Sequence, residues 1–318
     1  MAVIRRANRV WTLVLALLWV SSSTRGEQGE EYTPSPITQI VLLGTGTPGP
    51  VPERSGPSTA IVVNGRPYLV DLGPGVVRRA MASYQKGVKG LHFSNLQTAF
   101  VTHLHSDHTV GYPDFIFTPW VVGRKGPIHV YGPKGLGAMT RHLLAAWTDD
   151  IRNRNEGLER HFPEHNQTGY QVVPHEIQPG LIYKDENVTV TAFRVAHGEW
   201  KDAFGYKFQT PDRAIVISGD TSPTATTVDA CSGCDVLIHE VYTEKAQLSS
   251  PPVWQQYRLK YHTSSKQLAE LAARARPRLL ILYHQIYYHT ASTEEDLLRE
   301  MREAYKGKFV SGHDLDIF

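Results

Sequence analysis

The sequence predicts a globular protein of mixed α/β class, and three observations support this prediction. The chain has 318 residues, of which 41% are hydrophobic and 20% are charged, a balance that suits one large domain or two ordinary ones. Short apolar runs bounded by glycine, proline and polar residues alternate with stretches of helical periodicity. Polar side chains recur where the apolar runs end, so we expect a functional site along one edge of the predicted sheet.

The N-terminal segment has the pattern of a secretory signal. Arg5, Arg6 and Arg9 precede an apolar run over residues 10–20 and then three serines. Because the run is too short for a stable membrane span, we predict a signal peptide over residues 1–26, one domain over residues 27–318, and a secreted or periplasmic location. The alternative is a buried N-terminal helix. Without residues 1–26 the 33 basic side chains fall to 29 against 31 acidic ones, a net charge of −2 that offers no obvious surface for a polyanion.

The first strands of the domain surround a glycine-rich turn. Residues 40–43 form an apolar run that leads into Gly-Thr-Gly-Thr-Pro-Gly-Pro, and no Gly-Lys-Ser/Thr follows, so a nucleotide-binding loop is excluded. Two further strands are expected over residues 58–63 and 68–71. Asp71 ends the second of these, where its carboxylate is placed to hold a ligand-bearing loop by hydrogen bonds. The alternative is a cap for a helix over residues 76–84.

The densest group of chemically active residues follows a strand predicted over residues 96–101. The run Thr-His-Leu-His-Ser-Asp-His ends at His108 and offers three imidazoles and one carboxylate. The alternation of side chains at a strand end, followed by a turn, directs His103 and His105 to one point, and Asp107 and His108 to a neighbouring point. Neutral imidazole suits zinc and a carboxylate adds an oxygen ligand. The spacing therefore indicates two adjacent metal ions, with an exposed polar turn as the alternative.

Further polar residues follow four apolar strands downstream. The strands are expected over residues 188–195, 214–218, 236–238 and 279–283, and they deliver, in order, His197, Asp220, the pair His239-Glu240, and His284. Helical periodicity covers residues 139–151 and 264–274. A histidine satisfied within the core explains one such residue, but four in series indicate a site.

The two cysteines, Cys231 and Cys234, form a single Cys-x-x-Cys. A structural zinc site needs two more ligands nearby, and the sequence shows none. A small disulfide, formed in an oxidising compartment, and a turn with two half-buried thiols both remain open.

The ordered set of ligands resembles that of the metallo-β-lactamase superfamily of binuclear hydrolases. It comprises Asp71, the His-x-His-x-Asp-His motif at residues 103–108, His197, Asp220 and His284, and the resemblance covers residues 40–318. The resemblance implies a four-layer αββα sandwich with two zinc ions at one edge of its sheets. It also implies that His103, His105 and His197 bind one ion, that Asp107, His108 and His284 bind the other, and that Asp220 bridges both.

Two branches of the superfamily match further residues. The pair His239-Glu240, the run His262-Thr263-Ser264 and a Gly-Pro-Lys-Gly-Leu segment starting at residue 132 resemble tRNase Z. The secreted arylsulfatase-like hydrolases are similar across the same positions, including Ser106, where tRNase Z more usually has glycine. The predicted signal peptide, and the lack of a long Gly/Pro-rich arm that grips tRNA, favour the arylsulfatase-like branch. A cyclic-nucleotide phosphodiesterase and a metal-binding member without catalysis are further alternatives.

The predicted ligands and their neighbours suggest a mechanism for hydrolysis of a phosphodiester or aryl sulfate ester. Water activated by two zinc ions attacks phosphorus or sulfur. We expect Asp107 to orient that water, His262 to protonate the leaving oxygen, and Glu240 to hold the other ring nitrogen of His262. The alternatives are a histidine that merely precedes a helix and a surface carboxylate.

We expect the protein to act on a small ester substrate rather than on tRNA. We expect no stable membrane insertion, and the sequence leaves open whether the protein forms a homodimer. Aromatic residues near the site indicate a wall for an aryl group, although core packing is the alternative for each, and residues 242–261 are expected to form a loop over the site. The aromatic residues are Trp120, Trp200, Trp254, Tyr257, Tyr283, Tyr287 and Tyr288.

Overall fold

Two β-sheets form the centre of the protein, as seen in a computed structural model that describes residues 37–287 and 292–318. The first sheet has six strands in sequential order, antiparallel from β1 to β3 and parallel from β3 to β6. These strands are β1 (Thr38–Gly44), β2 (Ser58–Val63), β3 (Arg66–Val70), β4 (Thr98–Phe100), β5 (Ile128–Gly132) and β6 (Val172–Glu176).

The second sheet has seven strands, ordered from β13 back to β7. Its pairs are antiparallel from β7 to β10 and parallel from β10 to β13. The strands are β7 (Gly180–Lys184), β8 (Thr189–Arg194), β9 (Phe204–Gln209), β10 (Ala214–Ile217), β11 (Val236–Tyr242), β12 (Leu279–Ile286) and β13 (Phe309–Ser311).

Helices cover the outer faces of both sheets. They are α1 (Val76–Gln85), α2 (Ser106–Thr109), α3 (Tyr112–Val121), α4 (Leu136–Ala146), α5 (Thr148–Glu156), α6 (Ala225–Cys231), α7 (Glu244–Ser249), α8 (Pro252–Tyr261), α9 (Ser265–Ala275) and α10 (Glu294–Ala304). Short 3-10 helices span Lys89–Leu91, Phe93–Asn95 and Leu158–His161.

Three apolar clusters show how the layers pack. One cluster joins alternate residues of both sheets, such as Ile40 and Phe208, and so fills the space between them. A second cluster packs α1, α3 and α4 against the outer face of the first sheet, and a third packs α9 and α10 against the outer face of the second. The predicted αββα sandwich is therefore confirmed.

Several segments differ from the prediction in ways that affect the site. Strand β12 does not end at Tyr283 but continues to Ile286, so His284 lies within it. The expected loop over residues 242–261 contains the two helices α7 and α8. The helix predicted over residues 139–151 is interrupted at Trp147. Strands β6 and β7, each the last strand of a different sheet, were not predicted because they are half-exposed and only weakly apolar.

The sulfur atoms of Cys231 and Cys234 form a disulfide that closes the turn after α6, and both residues are buried. The predicted signal peptide over residues 1–26 lies outside the described residues, so the domain start and the location stay predictions. Within residues 37–287 and 292–318, no helix has the length and hydropathy that crossing a membrane requires.

Candidate metal centre and active site

Three imidazoles converge at the carboxyl-terminal edge of the sheets. Nδ1 of His105 lies 3.0 Å from Nε2 of His103 and 3.1 Å from Nε2 of His197. His103 and His197 are fully buried, and His105 is half-buried. Three ring nitrogens this close leave room for one shared cation, which is the arrangement the sequence predicted for the first ion.

A second group lies beside the first. Nε2 of His284 is 3.3 Å from Oδ2 of Asp107, and Nε2 of His108 is 3.5 Å from the same oxygen. Asp220 faces this group with both oxygens, because Oδ1 is 3.5 Å from Nε2 of His108 and Oδ2 is 3.6 Å from Nε2 of His284. Ligand atoms of Asp220 and His108 also lie within 4.8 Å of one from His103. All seven predicted ligands therefore come together, with Asp220 between the two groups.

The chemistry of this donor set fits bound cations. Nε2 of His108 and Oδ1 of Asp220 are buried without a hydrogen-bond partner among the described residues, although buried polar atoms almost always have one. Burial lowers the pKa of His197 to about 3 and that of His103 well below its usual value, which favours the neutral form that binds metal. Burial raises the pKa of Asp220, but His284 and His108 outweigh it, so the carboxyl stays ionised. Histidine and aspartate are ligands that zinc accepts.

Asp71 connects β3 to the ligand-bearing turn. Oδ1 accepts hydrogen bonds from the backbone N–H and the hydroxyl of Thr102, at 2.8 Å and 3.0 Å, and Oδ2 accepts from Nδ1 of His108 at 2.8 Å. Helix α1 begins after Gly75 and receives no side-chain cap. The expected role of Asp71 in holding the loop therefore agrees with its contacts, and the helix-cap alternative does not.

Local backbone distortions aim two further ligands. His284 has a φ of 42° and sits in a β-bulge of β12, where Tyr283 pairs with Glu240 and Gln285 pairs with Val241. A bulge bends a strand and redirects one side chain, which here points into the site. Gly198 has a φ of 57°, and a Cβ atom there would lie 2.0 Å from the ring of Tyr261. Only glycine therefore allows the turn after His197 to pack against that ring.

His262 and Glu240 lie next to the ligands. Nδ1 of His262 is 3.4 Å from Oε1 of Glu240 and 3.9 Å from Oδ2 of Asp220. The same Oε1 accepts hydrogen bonds from the backbone N–H groups of Thr263, at 2.9 Å, and Thr221, at 3.3 Å. Glu240 is fully buried, so the surface-carboxylate alternative is excluded. Burial raises the pKa of Glu240 well above its usual value and lowers that of His262 to about 4.

The aromatic residues that the sequence analysis named as candidates fall into two groups, those that pack in the core and those that lie at the site. Trp120 and Tyr283 are buried in the clusters between and outside the sheets, Tyr287 donates to Gln285, and Tyr288 lies outside the described residues. Trp200 packs edge-on against His105 with ring centres 5.1 Å apart. Trp254 and Tyr257 line a cavity that opens from the ligand cluster. Of the predicted aromatic wall, only Trp254 and Tyr257 of α8 and Trp200 lie at the site.

Sequence reasoning missed two supports of the ligands. Thr102 links Asp71 to the ligand turn, and its hydroxyl is also 3.0 Å from Nδ1 of His103. The backbone carbonyl of Tyr261 accepts a hydrogen bond from Nδ1 of His197 at 2.8 Å. The position of Thr102 directly before the motif was a usable signal, whereas a carbonyl that is 64 residues away along the chain leaves none.

The sandwich with a histidine and carboxylate cluster at the edge of its sheets defines a metal-dependent hydrolase. The family model described as "Beta-lactamase superfamily domain" matches residues 66–285. A ribonuclease Z from Mycobacterium sp. strain KMS is 30% identical over 281 residues, which cover 88% of this chain and 95% of that relative. The chain belongs to the metallo-β-lactamase superfamily and to its tRNase Z-like branch.

Solved structures agree on the fold. The short form of human tRNase Z superposes with a TM-score of 0.65 and 23% identity, over 88% of this chain and 98% of the human chain. The metallo-β-lactamase fold protein YhfI from Bacillus subtilis superposes with a TM-score of 0.66 and 14% identity, over 88% of this chain and 99% of the YhfI chain. The preference for the arylsulfatase-like branch, drawn from Ser106, the predicted signal peptide and the lack of a tRNA-gripping arm, is not supported, because the 30% identical ribonuclease Z favours the tRNase Z alternative.

Proposed function

We propose that this protein is a zinc-dependent phosphodiesterase of the ribonuclease Z type that hydrolyses a phosphodiester bond of RNA. The likeness to a ribonuclease Z extends over 88% of the chain. The ligand series and the pair of His262 and Glu240 also resemble the motifs of that branch. The proposal replaces the aryl sulfate substrate and the exclusion of tRNA that the sequence alone suggested.

One observation carries the choice of bond: His262 lies beside the ligand cluster, and its Nδ1 is 3.4 Å from the buried carboxylate of Glu240. An alkoxide leaving group, such as a ribose oxygen, is a poor one and benefits from a proton in the transition state, whereas an aryl oxide departs readily as the anion. Hydrolysis of an aryl sulfate gains less from a proton donor, because its leaving group departs as the anion. The arrangement therefore favours a nucleotide phosphodiester.

Each residue then has a defined task. When bound, two zinc ions supply a water molecule of lowered pKa and positive charge beside the phosphoryl oxygens. Asp107 lines the cavity and accepts a hydrogen bond from the attacking water, which fixes its direction. Burial lowers the pKa of His262 to about 4 in the substrate-free protein, and the negative charge of a bound phosphodiester raises it. His262 then donates a proton to the leaving oxygen. Its Nδ1 lies 3.4 Å from Oε1 of Glu240, which is itself held by two backbone N–H groups.

The test compares three substrates with the purified, zinc-loaded chain: a tRNA precursor with a 3′ extension, bis(4-nitrophenyl) phosphate and 4-nitrophenyl sulfate. We expect the precursor to be cut at one position and the phosphodiester to be hydrolysed, with the sulfate turned over far more slowly. Elemental analysis of the same sample should give about two zinc ions per chain. Faster hydrolysis of the sulfate than of both phosphodiesters would contradict the proposal.

A further inference from the structure

A cavity of about 470 Å³ opens from the metal cluster, and its lining combines two kinds of side chain. One part belongs to the cluster and comprises His105, Asp107, His262 and His284. The other part is apolar and comprises Pro48, Pro251, Trp254, Tyr257 and Ile286. The volume lies within the range of roughly 300–1,000 Å³ that is typical of ligand sites. The rings of Tyr257 and His262 have centres 5.6 Å apart, so a group bound against the apolar part is a direct neighbour of the bond that is cut.

Trp254 and Tyr257 form an aromatic wall within the apolar part of the lining. They are three residues apart on α8 and so lie on the same face of the helix. Their rings meet edge to face with centres 5.6 Å apart, and the ring of Tyr257 stacks on Tyr261 at 4.4 Å. Tyr257 is half-buried, whereas Trp254 remains 54% exposed, which is unusual for so large an aromatic side chain. The wall thus presents indole surface that the protein itself does not cover.

Hydrogen bonds hold the wall in place. Arg258 is 5% exposed and donates to the carbonyl of Ala246 and to the hydroxyl of Ser250, which joins α8 to α7. Gln255 donates to the carbonyl of Ser250 and accepts, through its own carbonyl, from Gln247. A wall that is already ordered loses little conformational freedom when a ligand binds.

We propose that Trp254 and Tyr257 form a stacking subsite for one unpaired nucleobase beside the scissile phosphate. This inference rests on the proposed function and adds the requirement that the substrate be single-stranded at the cut. Stacking on an aromatic ring accepts every base, because each base has a π-face. The guanidinium of Arg258 is already committed to Ala246 and Ser250, so we expect little discrimination between bases.

The first test uses two substrates with the same leaving group, so that any role of His262 cancels. They are thymidine 5′-(4-nitrophenyl) phosphate, which carries a base, and methyl 4-nitrophenyl phosphate, which does not. Base stacking on an aromatic side chain is typically worth a factor of ~10 or more. We expect Trp254→Ala to lower the ratio of kcat/KM between the two substrates about tenfold, and Trp254→Phe to restore most of it. Leu259→Ala is the matched control, since Leu259 is 55% exposed on the same helix but does not line the cavity.

The second test measures binding by calorimetry, with thymidine 5′-monophosphate and ribose 5-phosphate as probes. The nucleotide should bind wild type more tightly, and Trp254→Ala should remove most of that difference. The proposed subsite would be overturned if Trp254→Ala left the kcat/KM ratio or the binding difference unchanged. It would also be overturned if Leu259→Ala lowered either quantity as much as Trp254→Ala does. If wild type hydrolyses neither diester but still prefers the nucleotide, the proposed function fails while the subsite stands.

Discussion

Replacing Asp71 by asparagine tests how the metal centre is supported without touching a ligand. Asp71 has a φ of 62°, a conformation that asparagine also tolerates, so the substitution adds no backbone strain. An ionised carboxylate only accepts hydrogen bonds, so Nδ1 of His108 must donate to it at 2.8 Å. This contact leaves Nε2 of His108 with a lone pair for an ion.

Asparagine cannot preserve every contact. If its oxygen keeps the Thr102 N–H, its amide N–H₂ faces Nδ1 of His108, which must then accept. The ring proton moves to Nε2, and the ligand lone pair is lost. Loss of such a supporting hydrogen bond typically weakens metal binding by about 10–100-fold, and an unsatisfied buried group costs about 1–3 kcal/mol of stability. We expect both effects in Asp71→Asn, with the loss of affinity concentrated in the site that contains His108.

The assay is competition for zinc against a chromophoric chelator, combined with thermal unfolding of the metal-free protein. Asp185→Asn is the control, because Asp185 also accepts hydrogen bonds, from the buried Tyr68 and the partly buried Tyr183, and neither tyrosine belongs to the site. The control should lose stability without losing zinc affinity. Equal zinc affinity in Asp71→Asn and wild type would refute the role assigned to Asp71.

Three further outcomes follow from the same geometry. Asp220→Ala should lose zinc from both positions and nearly abolish turnover, since Asp220 lies between the two ligand groups, and metal analysis with a rate measurement checks this. His262→Ala should keep its zinc, but it should hydrolyse substrates with poor leaving groups ~10²–10⁴-fold more slowly and nitrophenyl esters at nearly the wild-type rate. Glu240→Gln should show the same pattern with a smaller loss of rate. An equal loss across a leaving-group series would mean that His262 positions substrate. Removal of zinc by a chelator should lower the Tm, since a ligand at 100 times its Kd adds about 2.7 kcal/mol, and added zinc should restore it.

The sequence was sufficient to predict the ligands because most of them follow apolar strands. His103, His197 and Asp220 come just after β4, β8 and β10. Strand β4 belongs to the first sheet and β8 and β10 to the second, and their ends meet at the cluster. His284 was predicted on the same logic, but the physical reason differs. It is aimed by a bulge inside β12, and a bulge depends on how the neighbouring strand pairs, which local sequence does not encode.

The structure of the segment that contains α7 and α8 was not predicted from the sequence. Two consecutive prolines, Pro251 and Pro252, indicated a loop, yet Pro252 opens α8, where the missing N–H costs nothing. The helix was therefore hidden by a residue that is also a good helix start. Two of its three aromatic residues, Trp254 and Tyr257, were named as candidates, but so were five residues elsewhere in the chain. Only packing distinguishes a ring that fills the core from one that faces a cavity.

The choice between branches shows which residues carry functional information. Ser106 seemed to favour an arylsulfatase, but it is exposed as the first residue of α2, and its side chain makes no contact with a ligand among the described residues. His262 and Glu240 are buried beside the ligands, and the proton donation that we propose for His262 suits a leaving oxygen that needs a proton. Function is therefore better inferred from what the buried pair requires than from an exposed position that differs between relatives.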